Sequence, residues 1–318
     1  MLRIGLLFLL FWFENSSWAQ FAPAAGISGS TAIKADSSCF IAWGSTAVAE
    51  VGLRQINVPD SGNANVGGEE SVLGPAIKNG ILSLGDGGSV TVYFSSGISN
   101  GSGFDFAVFE NAFNDSFLEL AHVEISADGI KFYRFPSISN SPTTEQTPSF
   151  GATYPENIHN LAGKYRMPFG TPFDISELDS QGQSLPNIFY YVKIIDVVGS
   201  IIPGIGSKDS KGNLINDPWP TPFASSGFDL DAIGIINAGP ENSVEKLSKE
   251  ELFILNDGGN IRIKTKSYLP EFRIYDWLGR LHYSYFNKSQ KSEIILNSLN
   301  QGSYILISGR ESKIFAVY

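Results

Sequence analysis

The feature that most restricts the fold is a two-residue alternation of apolar side chains. In SVTVYF (89–94), Val90, Val92 and Phe94 occupy every second position, and in LAHVEIS (120–126), Ala121, Val123 and Ile125 do the same. FDFAVF (104–109) places Phe104, Phe106 and Val108 on one side. A period of two suits a strand with one buried face; a helix would repeat its faces about every 3.6 residues. Turn sequences bound these runs: NGSG (100–103), SADG (126–129) and GDGG (85–88), the last read as a hairpin turn. IKFYRF (130–135) after SADG reads as the return strand of a hairpin. IFYYVKIIDVV (188–198) and FDLDAIGII (228–236) complete the set. Between them 137–187 is a long polar segment with a short helical turn near 173–178. Aromatics at 13% and 33 glycines in 318 residues agree with an all-β chain.

The expected organisation has four parts. Residues 1–19 read as a secretory signal peptide: Arg3, an apolar run over 4–13 too short to span a bilayer, and Ser17 and Ala19 before Gln20. No later run approaches the length of a membrane span, so no transmembrane segment is expected after signal removal. Residues 20–237 form the main β-sandwich, 238–250 a polar linker, and 251–318 a small antiparallel sandwich of about seven short strands. The single cysteine, Cys39, cannot form an internal disulfide and reads as a buried free thiol.

Charge divides along the same boundary. Residues 20–250 hold 12 Lys and Arg against 25 Asp and Glu, a net −13, whereas 251–318 hold 9 against 6, a net +3. An acidic main domain argues against nucleic acid or anionic lipid as a partner and suits a cation or a neutral ligand.

Two resemblances add to this reading. FRIYDWLGRLHYSYF and the later EIILNSLNQGSYILISGRESKIF resemble the type A sorting domain of the type IX secretion system of Bacteroidota, over residues 251–318. NDGG (256–259) stands where members open with a Pro-Asn-Pro turn. The resemblance implies an Ig-like β-sandwich, contact with the type IX secretion machinery and a secreted, cell-surface location outside the outer membrane. The main domain resembles a family of bacterial secreted or cell-surface proteins. The matching stretches are SLGDGGSVTVYF (83–94), NGSGFDFAVFENAF (100–113), ELAHVEISADGIKFYRFPS (119–137), NLAGKYRMPFGTPFDISEL (160–178), VKIIDVVGSI (192–201) and INDPWPTPFASSGFDLDAIGIIN (215–237). Ala112 stands where relatives commonly carry Gly. VEISADGIKF also resembles a hairpin of jelly-roll, galactose-binding-like modules, which implies a jelly-roll-like main sandwich. Some surface proteins of this kind accompany outer-membrane receptors for corrinoids, so the resemblance implies such a receptor as a candidate partner.

Calcium is the first chemistry to consider. It takes about six to eight oxygens, and carboxylates, amides and backbone carbonyls all serve. Asp229 and Asp231 flank Leu230 in FDLD, so an extended chain aims both carboxylates the same way. Asn216 and Asp217 lie in the same loop-strand unit, which Pro218, Pro220 and Pro222 stiffen. Asp105, Glu110 and Asn111 surround an earlier strand and Asp196 ends another; folding could bring them to the FDLD pair. The alternative is that these acids cap turns and face water. DSKGNLINDPW (209–219) is no EF-hand, because Lys211 stands where a ligand is required. Zinc is disfavoured: His122, His159 and His282 are scattered, and His122 beside Glu124 reads as a solvated pair. No G-x-S-x-G elbow and no phosphate loop is present.

For ligand recognition the sequence offers loop aromatics: Trp219 between two prolines, with Tyr154, Tyr165 and Phe169 in the polar segment. Exposed, such rings stack on sugars or on the edge of a macrocycle; otherwise they cover the sandwich end. The expected function is therefore a non-enzymatic surface binding module, calcium-stabilised, for a glycan or other neutral small ligand, a corrinoid among the candidates. The alternatives are a secreted polysaccharide hydrolase and a structural surface-layer or adhesion component.

Overall fold

The computed structural model describes residues 21–179, 182, 184–239, 252–257, 260–265, 271–286, 293–297, 299–308 and 311–317. The expected signal peptide and residues 240–250 of the expected linker lie outside them.

The described part of the main domain carries thirteen strands: β1 (Ile33–Lys34), β2 (Ala42–Trp43), β3 (Thr46–Glu50), β4 (Leu82–Ser83), β5 (Ser89–Ser99), β6 (Phe106–Glu110), β7 (Ala121–Ser126), β8 (Tyr133–Arg134), β9 (Ile138–Ser139), β10 (Ile158–His159), β11 (Phe169–Phe173), β12 (Ile188–Asp196) and β13 (Asp229–Ile235). Two antiparallel sheets hold most of them. One runs β1-β11-β6-β13-β2, with β4 also on β13; the other runs β3-β5-β12-β7-β8. The long strands β5, β6, β7, β11, β12 and β13 fall alternately in the second and the first sheet. This sheet-switching is a jelly-roll-like winding, and the chain is an all-β sandwich as the alternation predicts.

The alternating apolar faces meet between the sheets. Val90, Val92 and Phe94 of β5, Val123 and Ile125 of β7, and Val192 and Ile194 of β12 face Phe106 and Val108 of β6 and Leu230, Ile233 and Ile235 of β13. Phe106 stacks on Phe173 at 5.3 Å and meets Phe135 edge-on at 5.7 Å. The outer face of the first sheet is covered separately. There Ala107, Phe109 and Ala232 form a second apolar layer with Ala76, against which Ala35, Phe40 and Trp43 pack.

Several local expectations are corrected. GDGG is not a hairpin turn: it leads from β4 in one sheet to β5 in the other. Gly88 is needed there because a Cβ would lie 1.9 Å from the Leu84 carbonyl oxygen. The return strand after SADG shrinks to Tyr133–Arg134, pairing only with Glu124 and Ile125. The polar segment 137–187 contains β11, an interior strand of the first sheet. Its sequence, FGTPF, hides the strand behind Gly170 and Pro172. Pro172 is tolerated because β1 covers only Phe169 and Gly170, leaving the missing N–H beside no partner strand. The helical turn is real and spans Ser176–Asp179.

The C-terminal residues form seven strands: β14 (Leu252–Asp257), β15 (Asn260–Thr265), β16 (Glu271–Asp276), β17 (Leu281–Phe286), β18 (Glu293–Asn297), β19 (Gly302–Ser308) and β20 (Glu311–Val317). They make a three-stranded sheet, β14-β15-β18, and a four-stranded sheet, β17-β16-β19-β20. Ile261, Ile263, Phe272, Ile274, Leu296 and Leu306 belong to their common core.

Phe106→Ala should lower the unfolding free energy by about 3–5 kcal/mol, because it empties a fully buried ring site. Phe150→Ala, which removes a ring 78% exposed, should change it by less than about 0.5 kcal/mol. Urea unfolding of the two variants checks the contrast.

Candidate functional site

One end of the main sandwich collects acid. β6 ends there at Glu110 and β13 begins there, with Leu230 opposite Glu110. In the other sheet β12 ends there at Asp196, opposite Ala121 at the start of β7. The loops 84–88, 111–120 and 197–228 close this end. Seven carboxylates are buried in it: Asp86, Glu110, Glu119, Asp196, Asp217, Asp229 and Asp231. Among the described residues, no ion pair reaches any of them.

Backbone N–H groups hold most of these acids. Asp196 accepts from Phe228 N at 2.7 Å and from Gly87 N at 2.8 Å, tying two loops to the end of β12. Asp217 accepts from Leu120 N at 2.9 Å, and Glu110 from Ala112 N at 2.8 Å. Asp231 accepts from Ile77 N at 3.0 and 2.9 Å. Asp229 accepts from the Ser83 hydroxyl. Asp86 takes Ile56 N and the Trp219 indole N–H, each at 2.9 Å. Such staples explain how acids can line a loop-rich end: each satisfies donors that no strand partner reaches.

Glu119 is different. It is 8% exposed, and no hydrogen bond or ion pair to it exists among the described residues. Its strongest electrostatic neighbours are the carboxylates of Glu110, Asp229, Asp217 and Asp196, in that order. Glu110 in turn feels Asp229 and then Asp231. Glu110, Asp217 and Asp229 each accept one hydrogen bond, through Oε2, Oδ2 and Oδ1, so with Glu119 they are the least satisfied carboxylates of the end.

Burial is the first cause of every shift here, and like charge adds to it for Glu110, Glu119, Asp196 and Asp217. It pushes Asp196 up to about 8 and Asp229 and Asp231 up to about 6. Glu110, Glu119 and Asp217 are driven well above the usual carboxylate range. Asp86 is raised too, by burial opposed by the Trp219 hydrogen bond.

The residues singled out in the sequence divide accordingly. Glu110, Asp196, Asp217, Asp229 and Asp231 are brought to this end, and Asn111 adjoins it, its N–H on the Asp229 carbonyl at 3.2 Å. Asp229 and Asp231 are buried rather than solvated, and they clamp different segments, since the register shifts between Leu230 and Ala232. Asp105 is corrected. It begins near the opposite end of β6, where its carboxylate holds Gly101 N, Ile175 N and the Asn237 amide. Asn216 is engaged with another loop: its oxygen accepts from the Gln146 amide and Thr147 N, and its amide donates to the Pro142 and Glu145 carbonyls. Asp86 and Glu119 were not legible as members, because GDGG reads as a turn and Glu119 lies outside the alternating run.

The aromatic expectations change as well. Trp219 is buried with its N–H on Asp86, and Tyr165 is buried with its hydroxyl 2.8 Å from that of Thr31, so neither is open to a ligand. Phe169 is half-buried under the Arg166 guanidinium at 5.5 Å, and Tyr154 alone of the four is well exposed. A different strip is presented at the acidic end: Phe117, Phe150 and Phe223, with ring centroids 6.0 and 5.6 Å apart. His122 is buried, not solvated; burial lowers it to about 4, while Glu124 pairs with Arg134 at 2.7 Å.

No three His, Cys, Asp or Glu side chains converge into a ready-made metal cage among the described residues. The donor set is nonetheless all oxygen and anionic, which in kind matches a hard divalent cation. No described helix is long and apolar enough to cross a membrane.

No protein-family model matches the chain, and no curated protein does. Among solved structures it is similar to one described as "Biofilm associated protein - BSP domain", at 10% identity and a TM-score of 0.17. That match covers 72% of this chain and 48% of the other, so the chain spans about half of that structure's length. A score so low supports no inference about fold or function.

A raised carboxylate is protonated in the folded chain at a pH where the unfolded chain has lost the proton, so stability falls as pH rises through the folded value. Metal-free protein should therefore lose stability from about pH 4 upward, continuing to about 8 where Asp196 titrates. Thermal melts in chelator across this range check the sign; a melting temperature that rises steadily over it would contradict the desolvated end.

Proposed function

We propose that the chain is a secreted, non-enzymatic surface binding module whose acidic end takes a hard divalent cation, calcium, and whose C-terminal sandwich directs export by the type IX system. The single observation that carries the cation reading is Glu119: a carboxylate only 8% exposed, with no protein donor among the described residues, whose strongest electrostatic neighbours are the carboxylates of Glu110 and Asp229. A buried anion without a partner is one of the more expensive arrangements a fold can hold. A cation among these three would supply the missing charge, with backbone carbonyls and water completing its shell.

The bound ion would act on recognition through the loops. Segment 111–120 carries both Glu119 and Phe117, and Phe117, half-buried, packs against the exposed Phe150, which stacks on the exposed Phe223. Fixing Glu119 therefore fixes one edge of a surface suited to stack on a glycan or another ring-bearing ligand. The resemblance to surface proteins that accompany outer-membrane receptors supports a role beside such a receptor.

At pH 8, saturating calcium should raise the melting temperature of the chelated protein by roughly 5–10 °C, as expected for a ligand at about 100 times its Kd. Glu119→Gln should fold and lose that response. A chelator-insensitive melt, or an equal calcium response in Glu119→Gln, would overturn the reading.

A further inference from the structure

A cleft of about 570 Å³ opens on the outer face of the first sheet, away from the acidic end's interior. That volume lies within the span of about 300–1,000 Å³ of small-molecule sites. Its aromatic wall is built, not incidental. Phe40, Trp43 and Phe109 stand 5.1, 5.4 and 5.7 Å apart as a triangle of rings. They lie against the sheet because its outward positions are small. A Cβ on Gly234 would sit 2.6 Å from the Phe40 ring and 2.9 Å from Trp43, and one on Gly170 would sit 2.9 Å from Phe109. Phe40 and Trp43 remain half-exposed and line the cleft.

The rim has the opposite charge from the domain around it. Lys34 and Lys78 both line the cleft. Lys34 is paired with Asp36 at 2.7 Å, whereas Lys78 has no ion pair among the described residues. The segment that carries Lys78 is held in place: Ile77 has a φ of 66°, rare for a β-branched residue, and its N–H is taken by both oxygens of Asp231. Asp36 and Ser37 add a carboxylate and a hydroxyl to the same rim.

We propose that this cleft binds a carboxylated sugar, with a pyranose face on Trp43 and Phe40 and its carboxylate on Lys78. Ring hydroxyls would meet Asp36 and Ser37, which favours a sugar acid over an aromatic acid with no hydroxyls to offer. The domain's overall acidity favours a neutral ligand at long range, but within a few ångströms the unpaired lysine decides. The site goes beyond the cation reading and uses none of Glu110, Glu119 or Asp229, so it is tested with chelator present.

The experiment is calorimetric titration of the full chain in chelator with digalacturonate, with cellobiose and benzoate as comparisons, while tryptophan emission is followed. The expected result is saturable binding of digalacturonate with a change in emission, at least about tenfold tighter than either comparison. Lys78→Gln, an exposed change that leaves the fold intact, should weaken digalacturonate by roughly tenfold and leave cellobiose unchanged. Trp43→Phe should weaken it while abolishing the emission change. Absence of digalacturonate binding, equal binding of cellobiose or benzoate, or indifference to Lys78→Gln would each overturn the proposal. A failed calcium response leaves it standing.

Discussion

The main domain depends on taking acids out of water at the places where its strands stop. A jelly-roll-like winding sends long loops across one end, and their N–H groups have no ladder to join. Asp196, Asp231 and Glu110 meet those donors and hold the loops to the ends of β12, β13 and β6, and Asp217 ties one loop to another. The gain is a set of charge-assisted hydrogen bonds; the penalty is desolvation and mutual repulsion without a counter-charge. Protons or a cation must balance the difference, and that requirement links the architecture to the proposed function.

The strands were legible because their buried side repeats. Val90, Val92 and Phe94, and Val123 and Ile125, sit in the core as their alternation requires. β11 was not legible, since Gly170 and Pro172 break the pattern for reasons that only the neighbouring strands reveal: a ring lies on the one, and no partner reaches the other. At the acidic end, FDLD pointed to the right place. Membership was harder to read, because it is decided by which loops cross. Asp105 lies in the same strand run as Glu110 yet ends near the opposite loops, while Glu119 has no local pattern to mark it. Trp219 shows the same limit: prolines on both sides suggested display, but Asp86 from a distant turn draws the indole inward.

The outward face of the first sheet has its own logic. Small residues there, Ala107, Ala232, Gly170 and Gly234, look like weak strand positions in sequence. In the fold they seat three aromatic rings that a larger side chain would displace. Asp231 connects this face to the acidic end, since it starts in β13 and reaches Ile77 on the rim of the cleft. One strand thus sets the position of both the anionic group and the aromatic cleft.

The most direct test of the central claim is anomalous diffraction from crystals of the protein soaked with a calcium-mimicking lanthanide. The account predicts one dominant peak bounded by the carboxylates of Glu110, Glu119 and Asp229, with oxygens at about 2.3–2.6 Å. A map with no peak there, and with a Glu119 oxygen instead within hydrogen-bond distance of a neighbouring carboxyl oxygen, would contradict it and point to acids balanced by protons alone.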